Sequence, residues 1–210
     1  MTSAAASPVP SDPTDPEPET RLSPADRWPT RDSFEDPDAL GSWLYRAIVR
    51  WGGLLVRNYY TVEMRGEEFP KEGPVLIVQN HTNGLADAHF SMAATRRPIR
   101  ILVKYKLIKA PFIGWLLRRM DAVPMYRKKD GVDTRQNAAS FEAIDTALRA
   151  GAGAVIAIFP EGESLNAIKI RPLKSGVARM AVSAERSAAE SVGLRIVPVG
   201  VTYEERDRFR

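Results

Sequence analysis

Beyond residue 58 the apolar positions fall into two alternating rhythms. Runs of mostly apolar, β-branched residues recur at YYTVEMR (59–65), PVLIVQN (74–80), IRILVKY (99–105), DAVPMY (121–126), AVIAIF (154–159) and RIVPVGV (195–201). Several are apolar almost throughout, as strands buried on both faces are. Between them the period lengthens. VDTRQNAASFEAIDTALRAG carries Phe141, Ile144 and Leu148 on one helical face, with Asp133 and Gln136 placed to cap its start and Gly151 its end. SGVARMAVSAERSAAESVG is an alanine-rich helix that turns Val177, Met180, Ala181 and Ala184 inward. Strands alternating with helices predict an α/β fold with a largely parallel, mixed sheet and connecting helices.

Ahead of this domain (59–210), LGSWLYRAIVRWGGLLVR (40–57) also has a helical period. Leu44, Ile48, Trp51 and Leu55 form one stripe, and Arg46, Arg50 and Arg57 lie on the other side. A Trp/Leu face opposite a basic face suits a helix lying in the plane of a bilayer surface. It equally suits a helix covering the protein's own core. Gly52-Gly53 weakens it under either reading.

Charge divides the 210 residues further. Residues 1–38 carry nine acidic and three basic side chains and eight of the sixteen prolines. Too little apolar surface is present there to offset the entropy of ordering, so a disordered acidic arm is expected. The remainder has 27 basic and 17 acidic residues, a net charge of +10 that calls for an anionic partner. No cysteine is present, which removes disulfides, thiolate chemistry and thiol-linked lipid anchors. No apolar run reaches the roughly 18 residues of a membrane span. A cytoplasmic protein, peripheral to the inner face of a membrane, is the expectation.

Both histidines lie in one segment, PVLIVQNHTNGLADAHF (74–90), where a buried strand ends. Ligands of parallel sheets collect beyond the carboxyl ends of strands. On one continuous helix His81 and Asp87 would lie about 240° apart, out of reach of each other. Asn83-Gly84 is a turn signal that can bring Asp87 back to the imidazole. A carboxylate on one ring nitrogen fixes the tautomer and raises the basicity of the other, which makes His81 a candidate general base. Two rivals stand beside this: a metal site of His81, Asp87 and His89, and a histidine that merely satisfies backbone groups.

Three further strand-end loops, VPMYRKKD (123–130), IFPEGESLNAIKIRPLKSGVARMA (158–181) and IVPVGVTYEERDRFR (196–210), join QNHTNGLAD in a known order. Together these blocks resemble those of the phospholipid/glycerol acyltransferase superfamily. The resemblance covers about residues 59–210 and includes the connecting stretch VKYKLIKAPFIGWLLRRM. It implies a glycerolipid-acyltransferase fold, His81 as the base that deprotonates an acceptor hydroxyl, and Asp87 as its orienting group. Arg127 would bind the acceptor's phosphate, Glu161 and Gly162 would shape the acceptor pocket, and Lys104 and Pro198 match further family positions. The implied reaction moves a fatty acyl group from acyl-CoA or acyl carrier protein to a 1-acylglycerol-3-phosphate in phospholipid synthesis, without a cofactor or metal. Glycerol-3-phosphate is the alternative acceptor, and a non-catalytic lipid-binding protein the alternative of another class. Nucleic acid is not an expected partner, because no recognised binding module occurs.

This sequence departs from the family pattern in three places. His81 and Asp87 enclose five residues where four are usual. Glu163-Ser164 stands where Thr-Arg is common, so that Arg171 or Lys174 would have to hold the phosphate. The chain stops at Arg210, soon after the fourth block, where domains of this family continue, and a domain truncated at its C-terminus is expected.

Overall fold

The structure, a computed structural model, describes residues 43–63, 65–95, 97–150, 154–163, 170–186 and 191–204. The elements in chain order are α1 (Trp43–Tyr59), β1 (Val75–Gln79), α2 (Gly84–Ala94), β2 (Ile99–Lys104), α3 (Tyr105–Lys109), α4 (Pro111–Arg119), β3 (Val123–Met125), α5 (Asn137–Arg149), β4 (Val155–Ile158), α6 (Gly176–Arg186) and β5 (Arg195–Val199). The strands form one sheet in the order β3-β2-β4-β1-β5. Every described pairing is parallel, so the sheet is not mixed. All carboxyl ends therefore open on one edge. Because β1 lies between β4 and β5, the loops that follow these three strands are neighbours there.

Alternation along each strand divides the core into two layers. Leu76, Ile156, Leu102 and Val123 face α5 and α6, where Ile144, Leu148, Met180 and Ala184 meet them. Val75, Ile77, Ile99 and Ala157 face the other way, onto Tyr45 and Ile48 of α1, Met92 of α2 and Met120 after α4. Leu76, Ile77, Ile99, Ile144, Leu148 and Ile156 are fully buried, and each contributes about 1.5–3 kcal/mol by leaving water. The expected inward faces of α5 and α6 are the observed ones. At the edge, β5 tolerates Pro198 because one side of an edge strand has no ladder to complete.

The strand expected at 59–65 does not form. Tyr59 ends α1, and residues 61–63 and 65 have no regular structure. The aromatic residues that gave this run its strand propensity are used in ring packing instead: Tyr60 packs against Tyr59, Phe90 and Tyr203. Tertiary contacts have overridden local preference. The stretch after β2 becomes two helices, because Ala110 is extended ahead of Pro111 and Pro111 opens α4. Gly114 lets α4 close on α3, since a Cβ there would run into the Ile108 carbonyl.

Helix α1 also corrects its expected stripe. Tyr45, Ile48 and Val49 pack on the core, and the Tyr45 hydroxyl accepts a hydrogen bond from the Ile99 N–H at 2.8 Å. Trp51 and Leu55 point outward with Trp43, at 67, 69 and 74% exposure. Gly52 is where α2 crosses, and a side chain there would overlap the His89 ring. The expected arm and residues 39–42 lie outside the described residues, as do Gly151 and Ser164. No described helix is long and apolar enough to cross a membrane.

Candidate active site

The loop after β1 turns before α2 begins, so His81 is not on the helix that carries Asp87. Asn83 stands at the N-cap in an extended conformation without a side-chain cap. The Asp87 carboxylate reaches back in its place, and its Oδ2 accepts from the Asn83 N–H at 2.6 Å. That turn brings His81 Nδ1 to 3.0 Å from the same Oδ2. A carboxylate only accepts, so Nδ1 carries the proton and Nε2 presents its lone pair. The five intervening residues are thus accommodated by the Thr82–Asn83 bend. Asp87 is fully buried, the His81 side chain is 12% exposed, and the imidazole stacks on Phe159 at 4.0 Å.

Neighbouring loops hold the pair from several sides. Gln79, fully buried at the end of β1, donates to the Asp87 carbonyl at 2.8 Å and accepts from Ser91. Asn80 binds Val201 twice, donating to its carbonyl at 2.8 Å and accepting from its N–H at 2.7 Å. Glu161, after β4, accepts from the His81 N–H at 3.0 Å and from the Arg171 N–H at 3.4 Å. The Tyr203 hydroxyl donates to the remaining Asp87 oxygen, Oδ1, at 2.6 Å.

His81 opens onto a cavity of about 520 Å³ between the strand ends and the first turns of α5 and α6. Its lining mixes apolar side chains, Leu102, Met125, Phe141, Ile158, Val177 and Met180, with cationic ones, Lys104, Arg127, Lys128, Lys129, Lys174 and Arg179. Carboxylates pair with several of these cations. Asp130 accepts both prongs of the Arg127 fork, Nε at 2.6 Å and Nη2 at 2.9 Å, and the hydrogen bond from Arg127 holds its carboxyl below the usual aspartate range. Glu163 pairs with Lys129 and lies 3.7 Å from Arg171, and the Lys129 hydrogen bond likewise holds its carboxyl low. Arg127 is itself placed by Asn137, which accepts from the Tyr126 N–H and donates to the Tyr126 carbonyl.

The structure therefore brings His81, Lys104, Arg127, Gly162 and Lys174 to one cavity, with Asp87 directly behind His81. Glu161 and Arg171 do not line it. The Glu161 carboxylate is turned to the backbone of His81, and the Arg171 N–H is turned to Glu161. Gly162 adopts φ +69, and a Cβ on it would meet the Lys174 ammonium. His89 lies apart from the His81–Asp87 pair, against Gly52 of α1. Among the described residues no group of three His, Asp or Glu side chains is placed to share a metal ion. Gln79, Asn80, Asn137 and Tyr203 were not singled out from the sequence. Gln79 and Asn80 had a visible signal, two amides closing an apolar strand.

The sequence matches the Acyltransferase family over residues 61–202. It is 29% identical over 141 residues to a probable 1-acyl-sn-glycerol-3-phosphate acyltransferase of Arabidopsis thaliana, covering 64% of this chain and 35% of that protein. Over 58 residues it is 45% identical to an uncharacterized acyltransferase of Schizosaccharomyces pombe, covering 28% of this chain and 8% of the yeast protein. The chain thus spans only about a third or less of the length of these relatives. The crystal structure of the 1-acyl-sn-glycerophosphate acyltransferase PlsC from Thermotoga maritima superposes with a TM-score of 0.49 at 18% identity, covering 74% of this chain and 65% of that one.

Proposed function

Because the chain belongs to the Acyltransferase family, we propose that it moves a fatty acyl group from acyl-CoA or acyl carrier protein to the free hydroxyl of 1-acylglycerol-3-phosphate. The observation that carries this reading is the His81–Asp87 pair at a cavity lined by both cationic and apolar side chains. The named activity of the plant relative supports the choice of acceptor.

In this reading His81 Nε2 takes the proton of the acceptor hydroxyl as its oxygen attacks the thioester carbonyl. The new C–O bond forms, the C–S bond breaks, and the imidazolium returns its proton to the departing thiolate. Asp87 keeps Nδ1 protonated and the ring oriented throughout. Arg127, with Lys104 and Lys174, receives the acceptor's phosphate, the guanidinium exchanging its Asp130 partner for a phosphate of similar geometry. The apolar side chains of the lining take hydrocarbon.

The membrane surface is the proposed place of work. Trp43, Trp51 and Leu55 of α1 stand exposed beside Arg46 and Arg50. On the same layer of the fold, α4 exposes Phe112 and Trp115, stacked at 6.3 Å, with Arg119 over the Trp115 ring. Aromatic and basic side chains together suit the headgroup boundary of an anionic leaflet.

Free thiol released from acyl-CoA, measured with 1-acylglycerol-3-phosphate and with glycerol-3-phosphate in parallel, tests the activity. Release is expected with the first acceptor and is expected to vanish in His81→Ala. No release with either acceptor, or release that His81→Ala leaves intact, would sink the reading.

A further inference from the structure

We propose that Tyr203 is a positioning residue for the base, acting through Asp87. The inference rests on the reading of His81 as the base. Among the described residues three donors meet the two Asp87 oxygens: Oδ2 serves His81 and Asn83, and Oδ1 serves the Tyr203 hydroxyl at 2.6 Å. Bonds to Oδ2 alone leave a carboxylate able to rock about its Cβ–Cγ axis. The phenol holds the opposite corner and fixes the plane in which Oδ2 meets Nδ1. Asp87 is fully buried, so its Oδ1 depends on a protein donor, and the structure gives it the Tyr203 hydroxyl.

Tyr203 is itself held on two sides. Its ring meets Tyr60 at 5.4 Å and Phe90 at 5.9 Å, both edge to face. Two residues earlier, the double hydrogen bond between Asn80 and Val201 fixes the height of its backbone against the end of β1. The same strand end therefore sets both His81 and, through Val201, the tyrosine that steadies its partner. Such redundancy places the hydroxyl more tightly than packing alone requires.

The test is Tyr203→Phe, which keeps the ring and its neighbours and removes only the hydroxyl. With acyl-CoA and 1-acylglycerol-3-phosphate, kcat should fall about tenfold, the loss of one hydrogen bond to a charged group. KM for both substrates should stay within about twofold of the parent value. Asp87→Asn and the double variant complete a cycle. If Tyr203 acts through Asp87, the double variant is no slower than Asp87→Asn alone. Melting curves accompany each variant, and kinetics are run below the lowest midpoint, so that unfolding is not read as loss of turnover. A Tyr203→Phe enzyme with parental kcat, or equal losses in both Asp87 backgrounds, overturns the inference. An enzyme that keeps its activity in His81→Ala would instead overturn the assignment of the base.

Discussion

Replacing Glu161 by glutamine separates two roles for the Phe-Pro-Glu-Gly loop. If the carboxylate faced the acceptor, the change would weaken substrate binding. The structure turns it inward, 5% exposed, with one oxygen on the His81 N–H at 3.0 Å and the other near the Arg171 N–H at 3.4 Å. Glutamine can keep its carbonyl on His81 but must then set an amide donor against the Arg171 N–H. It loses the charge on the shorter bond and all of the longer one. Hydrogen bonds to charged groups contribute about 1.5–3 kcal/mol each, and the 3.4 Å bond lies at the weak end, so a cost of about 2 kcal/mol follows. For a chain of this size that is a fall in Tm of roughly 4–8 °C. Calorimetry measures the fall, and thiol-release kinetics give the companion result: lower kcat, because the His81 backbone is less firmly held, with acceptor KM nearly unchanged. An unchanged Tm together with a raised acceptor KM would refute the inward reading.

Arg127→Lys replaces a planar fork with a point charge, and titration of the acceptor should show KM raised about tenfold with kcat largely kept. The adjacent glycines of α1 should respond in opposite directions in thermal melts. Gly53→Ala, with open space around it, stabilises by about 0.5–1 kcal/mol, whereas Gly52→Ala drives a methyl into the His89 ring and lowers Tm. Sedimentation with vesicles containing anionic lipid should capture the protein, and Trp51→Ala with Phe112→Ala should release it while thiol release from soluble short-chain substrates persists. Capture that is indifferent to both substitutions would place the bilayer contact elsewhere.

What could be read along the chain was what depends on near neighbours. The buried strands at 75–79, 99–104 and 155–158 followed from their apolar runs, and the inward faces of α5 and α6 from their periods. The contact of Asp87 with His81 is the one a local turn signal predicts, although the bend lies at Thr82–Asn83 and Gly84 already belongs to α2. The hydrogen-bonded surroundings were not legible. Glu161 lies 80 residues from His81, Asn80 lies 121 from Val201, and Tyr203 lies 116 from Asp87. Those pairings arise only from the order in which strands lie side by side, which no single stretch of sequence encodes. The same reason explains the false strand at 59–65: its tyrosine belongs to a ring cluster assembled from α2 and the segment after β5.

The position of β1 between β4 and β5 has a consequence for how the chain comes into being. In synthesis Glu161 and the Val201–Tyr203 segment follow the His81 loop by 80 and more than 110 residues. During translation at about 5–20 residues per second, the histidine loop waits several seconds before its last neighbours emerge. β5 is the later in sequence of the two strands that flank β1, and the segment after it brings Val201 to Asn80 and Tyr203 to Asp87. A nascent chain paused before residue 195 holds His81 and Asp87 without the hydrogen bonds that Val201 and Tyr203 bring to Asn80 and Asp87.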